Sequence, residues 1–206
     1  MVKLFTASTL LTLGVGLAMP LAAKASLLDL ASAYGTASQS STAFSDPNSY
    51  HGSGPASRAI DGNTDGNYYD GSVSHTGNDV NAFWQVSLGR NYSLSDIKIW
   101  NRTDCCTNRL ENFTVSVMNS LGATEFSQSY PGPVLPTLDI PFTTAITGET
   151  VKVELNGQNY LHLAEVQVFG GPANNVPEPA SLALLVTALA ATGAISRQRR
   201  VASARS

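Results

Sequence analysis

Apolar and polar residues alternate in short runs along the middle of the chain. The runs are 83–88 (FWQVSL), 97–100 (IKIW), 113–118 (FTVSVM), 151–155 (VKVEL) and 163–169 (LAEVQVF). A period of two places every second side chain on one face, the pattern of a half-buried strand. Gly, Pro, Asn and Asp fill the intervals, where turns use their backbone freedom or local side-chain hydrogen bonds. The 3.6-residue period of an amphipathic helix is nearly absent. Several short strands with turn signals between them predict an all-β sandwich. Function is expected in the loops at one end of it.

Two apolar stretches do not alternate, and both lie at chain ends. Residues 1–25 carry Lys3, an apolar run over 10–21, and then Ala23, Lys24 and Ala25 in an A-x-A pattern. This predicts a secretory signal peptide removed before Ser26. Residues 180–195 are apolar without a charge, and Arg197, Arg199 and Arg200 follow. They predict a short membrane-spanning helix whose basic tail stays cytoplasmic. Pro177, Glu178 and Pro179 precede it, and prolines bar a helix interior. A Pro-Glu-Pro motif, an apolar helix and an Arg cluster in that order resemble the PEP-CTERM sorting signal of Gram-negative bacteria. The resemblance implies processing near the motif by an exosortase-type enzyme, which leaves the folded part at the cell surface or outside. The expected organisation is a signal peptide over 1–25, one domain over 26–171, a linker with the Pro-Glu-Pro motif over 172–179, and the apolar helix with its basic tail over 180–206. The membrane enters only through that C-terminal helix.

Charge changes the picture of possible partners. The formal net charge is −3, but residues 26–171 hold fourteen acidic and six basic side chains, a net of −8. No basic patch there can track a phosphate backbone, so nucleic acid is excluded as a partner. Only 13% of residues are charged. A surface rich in Ser, Thr, Asn and Gly suits an exported protein that meets neutral ligands.

The two cysteines of the chain, Cys105 and Cys106, are adjacent. Neighbouring Cα atoms lie about 3.8 Å apart, less than most disulfides span. A bridge here would close almost no chain, so loop entropy gives it little stabilising value. Stability does not explain the pair. A rigid ring presenting a flat sulfur surface does; two free thiols and a metal site are the alternatives, although metal sites space cysteines two to four residues apart. Arg102, Asp104 and Arg109 surround the pair. Arginine forks donate to several acceptors at once, and a carboxylate between two of them can hold one fork in place. Upstream, Asp61, Asn63, Asp65, Gly66 and Asn67 mimic the first half of an EF-hand loop, but Ser72 stands where its glutamate belongs. Clustered oxygen donors suit Ca²⁺; the same residues also form turns.

His75, then 26 residues, then Arg102-Thr103-Asp104, then four residues and Arg109 fit the signature H-x(n)-R-x-D-x(4)-R/K. In this the chain resembles the F-type lectins. The resemblance spans nearly all of 26–171, through GTASQSST, SRAIDGNTDGNYYDGSVSHT, FWQVSLGR, NRTDCC and YLHLAEVQVF. It implies a jelly-roll β-sandwich of discoidin-like type and calcium-dependent binding of L-fucose or a fucose-containing glycan. His75, Arg102 and Arg109 match the polar residues that hydrogen-bond the sugar, whose hydroxyl lone pairs meet cationic donors in charge-assisted bonds. Cys105 and Cys106 match a vicinal disulfide that packs against one edge of the ring. Asp104 matches the residue that orients the arginines. Tyr69, with Tyr68, matches aromatic positions beside the sugar methyl. The calcium ligands implied are Asp61, Asn63, Ser72 and Glu165, with the backbone carbonyls of Arg58 and Ala164. Many F-type lectins carry a further disulfide at the positions of Val73 and Ala164; both are apolar here, and packing is expected to replace the bridge. Fucose specificity depends on residues 46–50 and His51, which the motif does not define.

Catalysis is not expected. Ser72, His75 and Asp104 lack a G-x-S-x-G context, and the two arginines fit a triad poorly. The rival reading is a discoidin-like adhesion module for another glycan, a protein or a surface component. Such modules present apolar spikes at a loop tip, and the arginine–histidine set argues against it.

Overall fold

The run 113–118 forms the strand its alternation predicts: Phe113, Val115 and Val117 are fully buried, with Thr114, Ser116 and Met118 between them on the outer face. The structure, a computed structural model, describes residues 27–43 and 53–173. Its strands in chain order are β1 (Leu28–Asp29), β2 (Thr36–Gln39), β3 (Ser74–Val80), β4 (Phe83–Trp100), β5 (Phe113–Met118), β6 (Thr124–Tyr130), β7 (Thr137–Leu155), β8 (Gln158–Leu163) and β9 (Glu165–Pro172). A short helix, α1 (Leu30–Tyr34), follows β1, capped by the Asp29 carboxylate on the Ala31 amide at 3.1 Å.

The runs 83–88 and 97–100 prove to be the two ends of one strand, β4. Irregularities between Ser87 and Tyr92 and between Leu94 and Asp96 interrupt its pairing. They include Gly89, whose φ of 77° favours glycine. The first shift breaks the pairing and keeps the parity, with Trp84, Val86 and Leu88 and then Tyr92 and Leu94 buried; the second reverses it, and Ile97 and Ile99 face inward. This is why a search for unbroken alternation sees two strands. The run 163–169 divides the other way: Leu163 ends β8, and β9 begins at Glu165.

All pairings are antiparallel. The main sheet has the order β1-β9-β4-β7-β5-β6, and β2 pairs β4 off that path. β4 changes partners along its length, taking β2 over residues 84–87 and β9 over residues 92–100, with β7 along its other edge. The architecture is the expected all-β sandwich. Trp84 anchors its core, fully buried, with the indole donating to the Ala56 carbonyl at 3.0 Å.

A second buried cluster holds Tyr68, Val73 and Ala164, with Trp100 packed against it. Val73 and Ala164 thus share one buried apolar cluster, in keeping with the packing expected at these positions. The remaining pair, β3 and β8, forms a small two-stranded sheet in which His75 lies directly opposite His162. The expected signal peptide, residues 46–50 with His51, the Pro-Glu-Pro motif and the apolar helix lie outside the described residues. Among the described residues, no helix is long and apolar enough to cross a membrane.

Candidate functional site

The two loops singled out in the sequence meet. Residues 61–67 descend through a chain of turns in which the Asp61, Asn63 and Asp65 side chains accept from the amides of Asn63, Asp65 and Asn67 at 2.9, 3.1 and 3.0 Å. The loop ends against the arginine loop. The Thr103 amide donates to the Gly66 carbonyl at 2.8 Å. Gly66 is required by space: a Cβ there would lie 2.8 Å from the Asn101 carbonyl oxygen. Buried Asn101 holds the arginine loop from the other side, its side-chain amide donating to the carbonyls of Thr107 and Val134 at 2.8 Å each.

A cavity of about 210 Å³ opens where the loops meet the small sheet. Tyr68, Tyr69, His75, Arg102, Cys105, Cys106 and Arg109 line it. Six of the seven residues expected in the sugar site are therefore brought together. The seventh, Asp104, stands behind Arg102. Its two oxygens accept from Nε and Nη2 of that fork at 2.8 and 2.7 Å, and Oδ1 also accepts from the Tyr68 amide at 3.0 Å. Burial alone would raise the Asp104 pKa, but the arginine fork and the amide outweigh it and hold the carboxyl below its ordinary range. The Arg102 guanidinium stacks over Tyr68 at 4.7 Å and is almost fully buried. Tyr69 is 63% exposed and forms the outer lip. Cys105 and Cys106 are bonded as a vicinal pair, with Cα atoms 3.8 Å apart and Cys106 in the left-handed region at φ 57°. That turn leads into a 3₁₀ segment, Thr107–Arg109, which carries the second arginine to the cavity.

Only the arginines of the expected trio are cationic. His75 is buried, and Nδ1 lies 2.6 Å from the Thr76 carbonyl oxygen. A carbonyl only accepts, so Nδ1 carries the proton and Nε2 carries the lone pair. Desolvation, reinforced by Arg102 and Arg109, lowers the His75 pKa from 6.5 to about 4. The site at neutral pH combines two fixed cationic donors with one neutral acceptor. A depressed folded-state pKa means that the stability contributed by neutral His75 is complete above about pH 6.5 and is lost as pH falls through about 4. The melting temperature should decline over that window, and less steeply in His75→Gln. An identical decline in the variant would place the proton uptake elsewhere.

Three contributors escaped the sequence reading: Asn101, Tyr160 and His162. The Arg109 guanidinium lies 4.5 Å over the Tyr160 ring, and its Nη1 is 3.2 Å from His162 Nε2. The alternation in YLHL puts Tyr160 and His162 on one face of β8, a signal that was present and unused.

The expected calcium residues surround the other end of the first loop. Glu165 is fully buried at the start of β9, and its Oε1 accepts from the Gly62 amide at 3.1 Å. Its Oε2 is buried without a hydrogen-bond partner. Burial, with Asp29 and Asp61 nearby, pushes the Glu165 pKa up to about 8. Asp61 and Asn63 stand in the same loop, Arg58 in the turn Ala56–Ile60 before it, and Ala164 beside Glu165. Ser72 is buried, its hydroxyl donating to the Asn67 carbonyl at 3.0 Å. No group of three or more His, Cys, Asp or Glu gathers among the described residues. The donors would be two carboxylates with amide, hydroxyl and carbonyl oxygens, a hard set that fits Ca²⁺, and the unpartnered Glu165 oxygen is the atom a cation would satisfy.

Comparison with known proteins adds the family. Residues 58–153 match the NedA-like, galactose-binding domain family, and residues 175–200 match the PEP-CTERM protein-sorting motif. The chain is 33% identical to a fucolectin of Anguilla anguilla over 131 residues, 61% of this chain and 79% of that protein. The chain belongs to the F-type lectin family of the fucolectins. Fucolectin-6 of Anguilla japonica is 35% identical over 115 residues, and the chain spans 62% of its length. The F-type lectin fold is shared with a fucose binding module of Streptococcus pneumoniae, at 33% identity and a TM-score of 0.62 over 70% of this chain and 96% of the module.

Proposed function

We propose that the protein is an exported, calcium-dependent lectin that binds L-fucose or fucose-bearing glycans through the cavity between Arg102, Arg109 and His75. The observation that carries this reading is the cavity itself. Two arginines, one clamped by Asp104, face an apolar shelf of bonded cysteines, in a chain whose relatives are fucolectins. Sugar hydroxyls offer lone pairs to the guanidinium donors, and one of them a proton to the neutral His75 nitrogen. The shelf and Tyr69 meet the apolar edge and methyl of a deoxy sugar. A cavity of about 210 Å³ falls below the roughly 300–1,000 Å³ typical of drug-sized ligands and suits a single sugar ring. The relatives are lectins, and no nucleophile–base pair is assembled in the cavity, which supports binding without catalysis.

Calcium is assigned a structural role. Held by Asp61, Asn63, Ser72 and Glu165 with the carbonyls of Arg58 and Ala164, the ion would supply positive charge to a buried carboxylate and tie the first loop to β9. Export follows from the sorting motif, with an exosortase-type enzyme acting near the Pro-Glu-Pro segment. The galactose-binding family match favours one second reading, a discoidin-like module for another glycan. A glycan array with and without EDTA tests both. Selective retention of fucosylated glycans is expected, and preference for terminal galactose without fucose would favour the second reading.

The cysteine pair gives a separate outcome. The Cys105→Ala, Cys106→Ala variant should melt close to the parent, since the bridge constrains so little of the unfolded chain. Its fucose affinity should fall roughly tenfold, because the shelf loses two polarizable sulfurs and the loop carrying both arginines is less pre-organised. Large unfolding, with affinity retained in the folded fraction, would make the pair a structural staple.

A further inference from the structure

We propose that His162 is a positioning residue for the sugar site: it fixes Arg109 by accepting a hydrogen bond from its guanidinium, in the place a carboxylate takes for Arg102. The inference rests on reading the cavity as a sugar site. Arginine only donates, so the 3.2 Å contact from Arg109 Nη1 makes His162 Nε2 the acceptor and puts the imidazole proton on Nδ1. His162 is itself held by packing, since its Nδ1 is buried without a hydrogen-bond partner. It is 1% exposed, lies opposite His75 in the β3–β8 register, and packs ring to ring with it at 4.0 Å. Tyr160, two residues earlier on the same strand, underlies the guanidinium at 4.5 Å.

The two arginines are thereby supported differently. Arg102 and Asp104 form a pair that is neutral overall. Among the described residues Arg109 has no ion pair, and its side chain is oriented by a neutral nitrogen and an aromatic face. The neutral acceptor fixes direction without cancelling charge, so Arg109 presents a full cation, with its other N–H groups, to a hydroxyl ligand. An apolar side chain at 162 would leave that guanidinium unaimed.

The test compares His162→Phe, which keeps a ring and loses the acceptor, with His162→Gln, which keeps an acceptor at similar reach. L-Fucose titration should show a loss of roughly tenfold or more for His162→Phe, and His162→Gln should stay within about threefold of the parent. In the ligand-free protein, ¹⁵N NMR should show the Nδ1–H tautomer at His162. Rotation of the Arg109 guanidinium should be slow in the parent and His162→Gln, and fast in His162→Phe. Parental affinity in folded His162→Phe, or equal losses in both variants, would overturn the inference. If His162→Phe does not fold, the parent spectrum and His162→Gln decide: an Nε2–H tautomer or a freely rotating Arg109 refutes it. If the spectra are as expected but no fucose binds to the parent, the sugar reading falls while the fixing of Arg109 stands.

Discussion

Arg109→Ala is expected to abolish measurable L-fucose binding, and Arg102→Ala to do the same. A hydrogen bond to a charged group contributes about 1.5–3 kcal/mol. A guanidinium that serves two sugar oxygens therefore accounts for a loss of a hundredfold or more. A monosaccharide offers few atoms and binds weakly from the start, so a loss of that size passes the limit of detection. The two substitutions differ in their effect on the fold. Arg109 has no acidic partner among the described residues, and its removal strands no charge. Arg102 clamps Asp104 in a pair whose side chains are 6% and 14% exposed, and breaking such a pair costs about 3–5 kcal/mol. The Arg102→Ala, Asp104→Ala double variant removes the stranded carboxylate and should recover most of the lost stability while still failing to bind. Unchanged affinity in either folded single variant would contradict the site.

Removal of calcium is expected to lower the melting temperature by about 10 °C. A ligand bound only by the folded state adds about 2.7 kcal/mol at a hundred times its Kd, and 1 kcal/mol shifts the midpoint of a domain this size by roughly 2–8 °C. The physical source is Glu165, whose Oε2 is buried without a partner and which only a cation can hold charged at low cost. Glu165→Gln and Asp61→Asn should each melt at a temperature indifferent to EDTA. Two checks are needed: direct calcium titration of the parent, and the same titration of Glu165→Gln. A parent whose melting curve ignores EDTA would remove calcium from the account.

The motif residues were legible because their chemistry is local. Arg102, Asp104, Cys105, Cys106 and Arg109 occupy one loop of eight positions, and their types already restrict what they can do. His75 was legible only through the resemblance, since nothing in its own neighbourhood marks it as a site residue. Its charge state was not legible at all: it depends on the Thr76 carbonyl and on burial beside two guanidinium groups. His162 and Tyr160 were missed for the related reason that their partner, Arg109, lies about fifty residues away and meets them only through the β3–β8 sheet. In the fold, inward alternation found the core strands, and bulges hid their true lengths, most clearly in β4, whose alternation lapses around Gly89 and reverses parity between Leu94 and Asp96. β6, with mostly exposed residues at the sheet edge, carries little alternation to read.

The central claim, that this cavity is the sugar site, is tested most directly by titrating ¹⁵N,¹³C-labelled protein with L-fucose and following its resonances by NMR. The account predicts saturable shifts concentrated at Tyr69, His75, Arg102, Cys105, Cys106 and Arg109, with residues of β6 unmoved. Saturable shifts centred elsewhere on the sandwich, or none at millimolar L-fucose, would contradict it.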